Sequence, residues 1–259
     1  MEEKQRIALA LKRKRFFLEN PIVIVDYDVG NILSVSKALS YLGYHHIVSS
    51  KPEDIQRASG LVLPGIGAFY EAMRNLKSRE LCSVIKEEVL NKNKPLLGIC
   101  VGMQILSDKG FENGEYDGLA LIPGNVRRIP EQEGFRVPHV GWNTLEIISK
   151  DPLFSLIDDY ALDDDKKEEL VNHFYFDHSY YFECDDKYVL AYCNYGQKLA
   201  VAVRFDNIFG VQFHPEKSQK NGLKLFRSFF DFVMNHFGSL NNSDVTDGLQ
   251  EAKRWESKN

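Results

Sequence analysis

The chain has 259 residues, is 44% hydrophobic and 27% charged, and carries a formal net charge of −5. That length supports one large domain with a sizeable core, and the acidic balance leaves no broad basic field for a nucleic-acid backbone or an anionic membrane, so small soluble partners are favoured. The four cysteines, Cys82, Cys100, Cys184 and Cys193, form no CxxC pair and no metal-type spacing, which fits a reducing cytoplasm, and no run approaches the ~20 apolar residues that span a bilayer.

Residues 1–20 hold only a short apolar segment before Lys12, Arg13, Lys14 and Arg15. They read as a basic helical extension or as an upstream start codon, not as a signal peptide. From Pro21 the texture changes: PIVIVDYD is a strand, and GNILSVSKALSYLGY spaces its apolar residues at helical intervals. HHIVSS and GLVLPG are two further strands with a helix over PEDIQRA between them. AFYEAMRNLKSRELCSVIKEEVLNKNK is helical over most of its length, and KPLLGIC is again a strand. This alternation predicts an α/β fold with a mostly parallel central sheet flanked by helices.

After residue 118 the segments LALIPGNVRRI, FRVPHVGWNTLEII, HFYFDHSYYFE, KYVLAYCNYG, KLAVAVRF and NIFGVQFHPE are short, aromatic-rich strands that add antiparallel pairing. LKLFRSFFDFVMNHF closes the domain as a helix. The domain proper is expected over 21–237, with a charged insertion at 158–172 and a polar tail at 238–259, both on the surface and mobile.

Three stretches can carry chemistry. Gly98-Ile99-Cys100-Val101-Gly102 fits a strand-to-helix elbow that lifts a nucleophile above the sheet, and a helix N-terminus aimed at the sulfur favours the thiolate. The pentapeptide alone leaves a buried structural cysteine equally open. IFGVQFHPEKS ends a strand on His214 and Glu216, which supply an imidazole and the carboxylate that fixes its tautomer if this strand lies beside that of Cys100. GLVLPGIGAF brings Gly65 and Ile66 to a strand end, where backbone N–H groups, with that of Val101, can face an oxyanion; a plain chain turn is the alternative.

In this order the three pieces resemble class I glutamine amidotransferases. DYDVGNILSV, LPGIGAF, GICVGMQIL, LALIPG, PHVGWN, YFDHSY and GVQFHPEKS are similar, more narrowly, to the glutaminase subunits of imidazole glycerol phosphate synthases, from about Ile22 to Phe237. The resemblance implies a flavodoxin-like fold and a Cys100-His214-Glu216 triad that takes ammonia from L-glutamine without a cofactor or metal. It assigns the substrate to Gly65, Ile66, Val101, Gln104, Glu112, Ser179 and Tyr180, the last two through their backbone; GFENG departs from the usual spelling around Glu112. It implies a separate (β/α)₈-barrel cyclase subunit as heterodimer partner, with Asn31, Trp142, Tyr175 and Lys217 at the contact, a core position being the alternative for Trp142. Asp28 stands where the family usually has glycine. Rival readings are a paralogous glutaminase serving amidation of a surface-polysaccharide sugar, a stand-alone γ-glutamyl cysteine hydrolase, and a catalytically silent binding subunit.

Overall fold

The structure, a computed structural model, describes residues 2–157 and 172–256. Its helices are α1 (Glu2–Glu19), α2 (Ile32–Tyr41), α3 (Pro52–Arg57), α4 (Phe69–Ser78), α5 (Leu81–Lys86), α6 (Val101–Gln104) and α7 (Gln219–Glu256). The strands of the first half are β1 (Ile22–Val25), β2 (His46–Ser49), β3 (Gly60–Gly65), β4 (Leu96–Cys100), β5 (Lys109–Gly110), β6 (Tyr116–Asp117) and β7 (Asn125–Arg128). Those of the second are β8 (His139–Thr144), β9 (Glu146–Ile147), β10 (His173–His178), β11 (Tyr180–Glu183), β12 (Val189–Tyr195), β13 (Gln197–Phe205) and β14 (Ile208–Val211).

β1, β3, β4 and β14 are buried at every residue, the pattern of strands covered by helices on both faces. With β2 they form the parallel half of the main sheet, in the order β2-β1-β3-β4-β14. β13 turns back antiparallel beside β14, and β11, β7, β5 and β6 continue outward, with β5 parallel to β7, so a parallel core carries a largely antiparallel extension; NIFGVQFHPE, expected among the antiparallel strands, instead supplies β14, which runs parallel to β4 because it fills the next place in the core. The register sets Val211 opposite Ile99 and Gly65 opposite Cys100. The chain segments that leave β3, β4 and β14 therefore emerge side by side at one end of the sheet, where open α/β sheets place their sites.

HFYFDHSYYFE, read as one strand region, divides at Ser179. β10 pairs with β8 in a separate two-stranded ribbon, whereas β11 joins the main sheet. The long helical stretch after Ala68 breaks at Glu80, which has φ +58°, and ends in a π-type turn over Glu87–Asn91. α7 continues to Glu256, through the stretch read as a polar tail. The charged insertion lies outside the described residues except for Asn172.

α1 lies against the core. Phe17 is fully buried, with ring centroids 5.3 Å from Tyr44 and 5.0 Å from Phe230, which themselves stack at 4.2 Å. Burying one such ring stabilises a fold by about 2 kcal/mol. Arg13 pairs with Asp231 of α7 at 2.5 Å. Among the described residues no helix is long and apolar enough to cross a membrane.

Candidate active site

Cys100 ends β4 with φ +54° and ψ −111°, a backbone conformation an L side chain adopts only when its surroundings enforce it. The neighbouring glycines supply that enforcement. A Cβ on Gly102 would stand 1.7 Å from the Leu63 carbonyl oxygen, and one on Gly98 would stand 2.6 Å from that of Gly102. Gly65 is equally confined, at 2.8 Å from the Tyr27 hydroxyl and 2.9 Å from the Gly102 nitrogen. The turn can be this tight because Gly65 at the end of β3, Gly98 within β4 and Gly102 in α6 bring no side chains to it. The helix that follows, α6, is only four residues long, so its dipole is a smaller influence on the sulfur than a full helix would give.

His214 and Glu216 lie where β14 delivers them. His214 Nδ1 donates to Glu216 Oε1 at 2.7 Å, leaving Nε2 as the ring nitrogen for the sulfur. Burial pulls the pKa of the ring down, but the hydrogen bonds and negative charge of Cys100 and Glu216 outweigh it and raise the pKa to about 10. The ring thus keeps its proton at neutral pH between a sulfur and a carboxylate. Both side chains of the pair are nearly inaccessible, at 1% and 0%.

Asn31, expected at a partner contact, adopts φ +78° and donates its Nδ2 to the same Glu216 oxygen. The carboxylate is thereby held from two sides. The backbone of the His214 turn is tied to the ribbon: His214 N donates to the Tyr175 carbonyl at 2.8 Å, and the Ser218 hydroxyl bridges the His214 carbonyl and the Tyr175 nitrogen.

The sulfur opens onto a cavity of about 300 Å³, at the small end for ligand sites. Ile66, Val101, Gln104, Glu112, Ser179, Tyr180, His214 and Lys217 all line it, whereas Gly65, expected at the substrate, is not among the lining residues and abuts Tyr27, Val101 and Gly102 instead. Gln104 directs its Nε2 to the Tyr180 carbonyl at 3.0 Å and to Gln212 Oε1 at 3.1 Å. Glu112 Oε2 caps the start of α4 through the Phe69 nitrogen at 2.7 Å, which fixes the carboxylate at the cavity wall. Sequence reasoning passed over Gln212, fully buried, whose Nε2 donates toward Cys100 Sγ at 3.7 Å. The one sign in the sequence is an amide directly after the apolar run of β14.

Trp142 and Tyr175 pair across the ribbon, centroids 6.2 Å apart, and Nζ of Lys217, which lines the cavity, lies 5.2 Å from the Tyr175 ring. Trp142 is 47% exposed, so its alternative as a core residue does not hold. Asp28, in the left-handed region at φ +59°, pairs with Arg79.

A strained cysteine, an imidazole with its pKa raised and a buried carboxylate meeting at one cavity form the arrangement that cysteine-dependent acyl transfer requires. The family model for glutamine amidotransferase class-I matches residues 23–232. An imidazole glycerol phosphate synthase subunit HisH 1 from Campylobacter jejuni is 43% identical over 80% of this chain and 98% of its own. Subunit HisH 2 from Vibrio vulnificus is 46% identical over 82% and 94%, and subunit HisH from Carboxydothermus hydrogenoformans 46% over 82% and 99%. A crystal structure of a glutamine amidotransferase superposes with a TM-score of 0.60 at 20% identity, covering 82% of this chain and 98% of the other, and supports the fold. The chain belongs to the class I glutamine amidotransferases and, within them, to the family of HisH subunits of imidazole glycerol phosphate synthase.

Proposed function

We propose that this chain is the glutaminase subunit of an imidazole glycerol phosphate synthase, hydrolysing L-glutamine to glutamate and ammonia in the cytoplasm. The observation that carries the reading is the meeting of Cys100, in its strained turn, with His214 and Glu216 at one cavity. Cys100 Sγ attacks the side-chain carbonyl carbon of glutamine, and the imidazolium of His214 passes its proton to the departing amide nitrogen, which leaves as ammonia. A thioester remains. Water, deprotonated by His214, then attacks it and releases glutamate and the thiolate, while Glu216 keeps Nδ1 protonated and the ring in register throughout.

Negative charge on the carbonyl oxygen falls to the Val101 N–H and the Gly65-Ile66 turn. Gln104 and Glu112 hold the amino-acid end, Glu112 matching the α-ammonium, and the backbone of Ser179 and Tyr180 takes the α-carboxylate. Ammonia released in water at neutral pH becomes ammonium and cannot attack an acceptor. The rim of Asn31, Trp142, Tyr175 and Lys217 is therefore read as the seat of a (β/α)₈-barrel cyclase subunit, which receives the ammonia and forms imidazole glycerol phosphate and AICAR in histidine biosynthesis. Trp142, exposed beside Tyr175, supports that placement.

The test is glutamate release by the purified chain, alone and with the cyclase and its nucleotide-derived acceptor. Low turnover alone and high turnover in the complex supports the reading. Equal turnover in both identifies a stand-alone hydrolase, and none in either a silent binding subunit.

A further inference from the structure

Two buried histidines outside the triad form a directed chain that ends at the substrate pocket. His178 Nδ1 lies 2.9 Å from the Tyr180 carbonyl oxygen. A carbonyl only accepts, so Nδ1 carries the proton and, in a neutral ring, Nε2 must accept. The atom facing that Nε2, at 3.0 Å, is His139 Nδ1, which therefore donates. His139 Nε2 must then accept in turn, and Asn143 Nδ2 stands 3.3 Å away.

Asn143 cannot be reversed. Its Oδ1 accepts from the Thr144 nitrogen at 2.7 Å and its Nδ2 also donates to the Asn194 carbonyl at 3.1 Å. Every donor and acceptor along the line thus has one direction, set at the half-buried ribbon edge and delivered to the pocket wall. Both rings are neutral. Burial holds the His139 pKa down to about 4, and for His178 burial, helped by the charge of His214, outweighs the hydrogen bond to the Tyr180 carbonyl and takes the pKa to about 3. His139 is further clamped between Phe176, at 4.7 Å, and Tyr195, at 3.9 Å.

We propose that His139 is a positioning residue of the glutamine site: by donating to His178 Nε2 it locks the His178 proton on Nδ1, and so holds the Tyr180 carbonyl and the Ser179-Tyr180 turn in place. Without that donor, the tautomer with its proton on Nε2 becomes accessible. Its bare Nδ1 would then face the lone pairs of the Tyr180 carbonyl and push the turn away. The same carbonyl receives Gln104 Nε2, so the loss reaches Gln104 as well as the Ser179-Tyr180 backbone, three of the four residues assigned to the amino-acid end of the substrate. The proposal rests on the reading of this cavity as a glutamine site.

The test combines steady-state glutaminase kinetics of the complex with histidine-nitrogen NMR of the chain. The wild type is expected to show His178 as a neutral Nδ1–H ring. His139→Phe keeps the ring stack but has no donor, and should raise KM for glutamine about tenfold while kcat changes less than about twofold. His139→Asn places an amide nitrogen where Nδ1 stood and should bring KM back to within about threefold of the wild type. Should His139→Phe not fold, Asn143→Leu, which removes the first donor of the line, should raise KM about threefold.

An unchanged KM in whichever of His139→Phe and Asn143→Leu is measured, His139→Asn no better than His139→Phe, or a wild-type His178 protonated on Nε2 overturns the proposal alone. A wild-type complex that turns over no glutamine overturns the functional reading and the proposal with it.

Discussion

The two sides of the cavity are built on opposite plans. On one side β3, β4 and β14 are buried at every residue and packed until three glycines touch backbone, which forces Cys100 into a conformation no free peptide would hold. On the other, β8 and β10 form a two-stranded ribbon in which exposed and buried positions alternate, and whose Gly141 has φ +132° with open space around it. The first side fixes a reacting atom by leaving no room for error. The second holds its residues through side-chain hydrogen bonds and leaves an aromatic side chain, Trp142, exposed, so it is the looser of the two.

The largest break in this comparison comes from the rigid side. Cys100→Ala should cut glutamine-dependent product formation at least about a thousandfold, while the complex supplied with an ammonium salt keeps its synthase rate. A parallel loss of the ammonia-dependent rate would show that the chemistry has been misplaced. Gly102→Ala pushes a methyl into the Leu63 carbonyl and should destabilise the fold by more than about 4 kcal/mol in urea melts, or prevent folding.

A subtler probe is pH. The His214 pKa lies above that of an unfolded histidine, so the folded chain holds the proton more tightly. That stabilisation is complete below about pH 6.5 and is lost as pH rises toward about 10. Melts across that window should show stability falling in the wild type and falling less in Glu216→Gln.

The smallest stability effects belong to the adaptable side. Trp142→Ala should leave the isolated chain within about 0.5 kcal/mol of wild type, yet weaken cyclase binding about tenfold in calorimetry. Gly141→Ala meets no atoms and should cost only the strain of its backbone, about 1–3 kcal/mol. If Gly141→Ala matched Gly102→Ala in cost, the contrast between the two sides would fail.

What could be read from the sequence follows the same division. The elbow was legible because its glycines and cysteine are neighbours in the chain, and the parallel core because four apolar strands announce themselves without reference to anything distant. The ribbon was only partly legible. A change of sheet at Ser179 leaves no mark in HFYFDHSYYFE, since both halves are equally aromatic and the switch depends on which partner each strand finds. Asn31 could be placed near a contact but not on Glu216, 185 positions away, and Gln212 looked like an ordinary strand residue until its neighbours were known.

The position of Phe17 bears on how this protein can be handled. Its ring closes a slot between Tyr44 and Phe230, and Arg13 neutralises Asp231 beside it. Trimming the chain to begin at Pro21 would uncover two stacked aromatics and strand a carboxylate among them. The last turns of α1 are thus a lid on the protein's greasiest seam, and a shortened version should be sticky in solution even with every reacting atom in place.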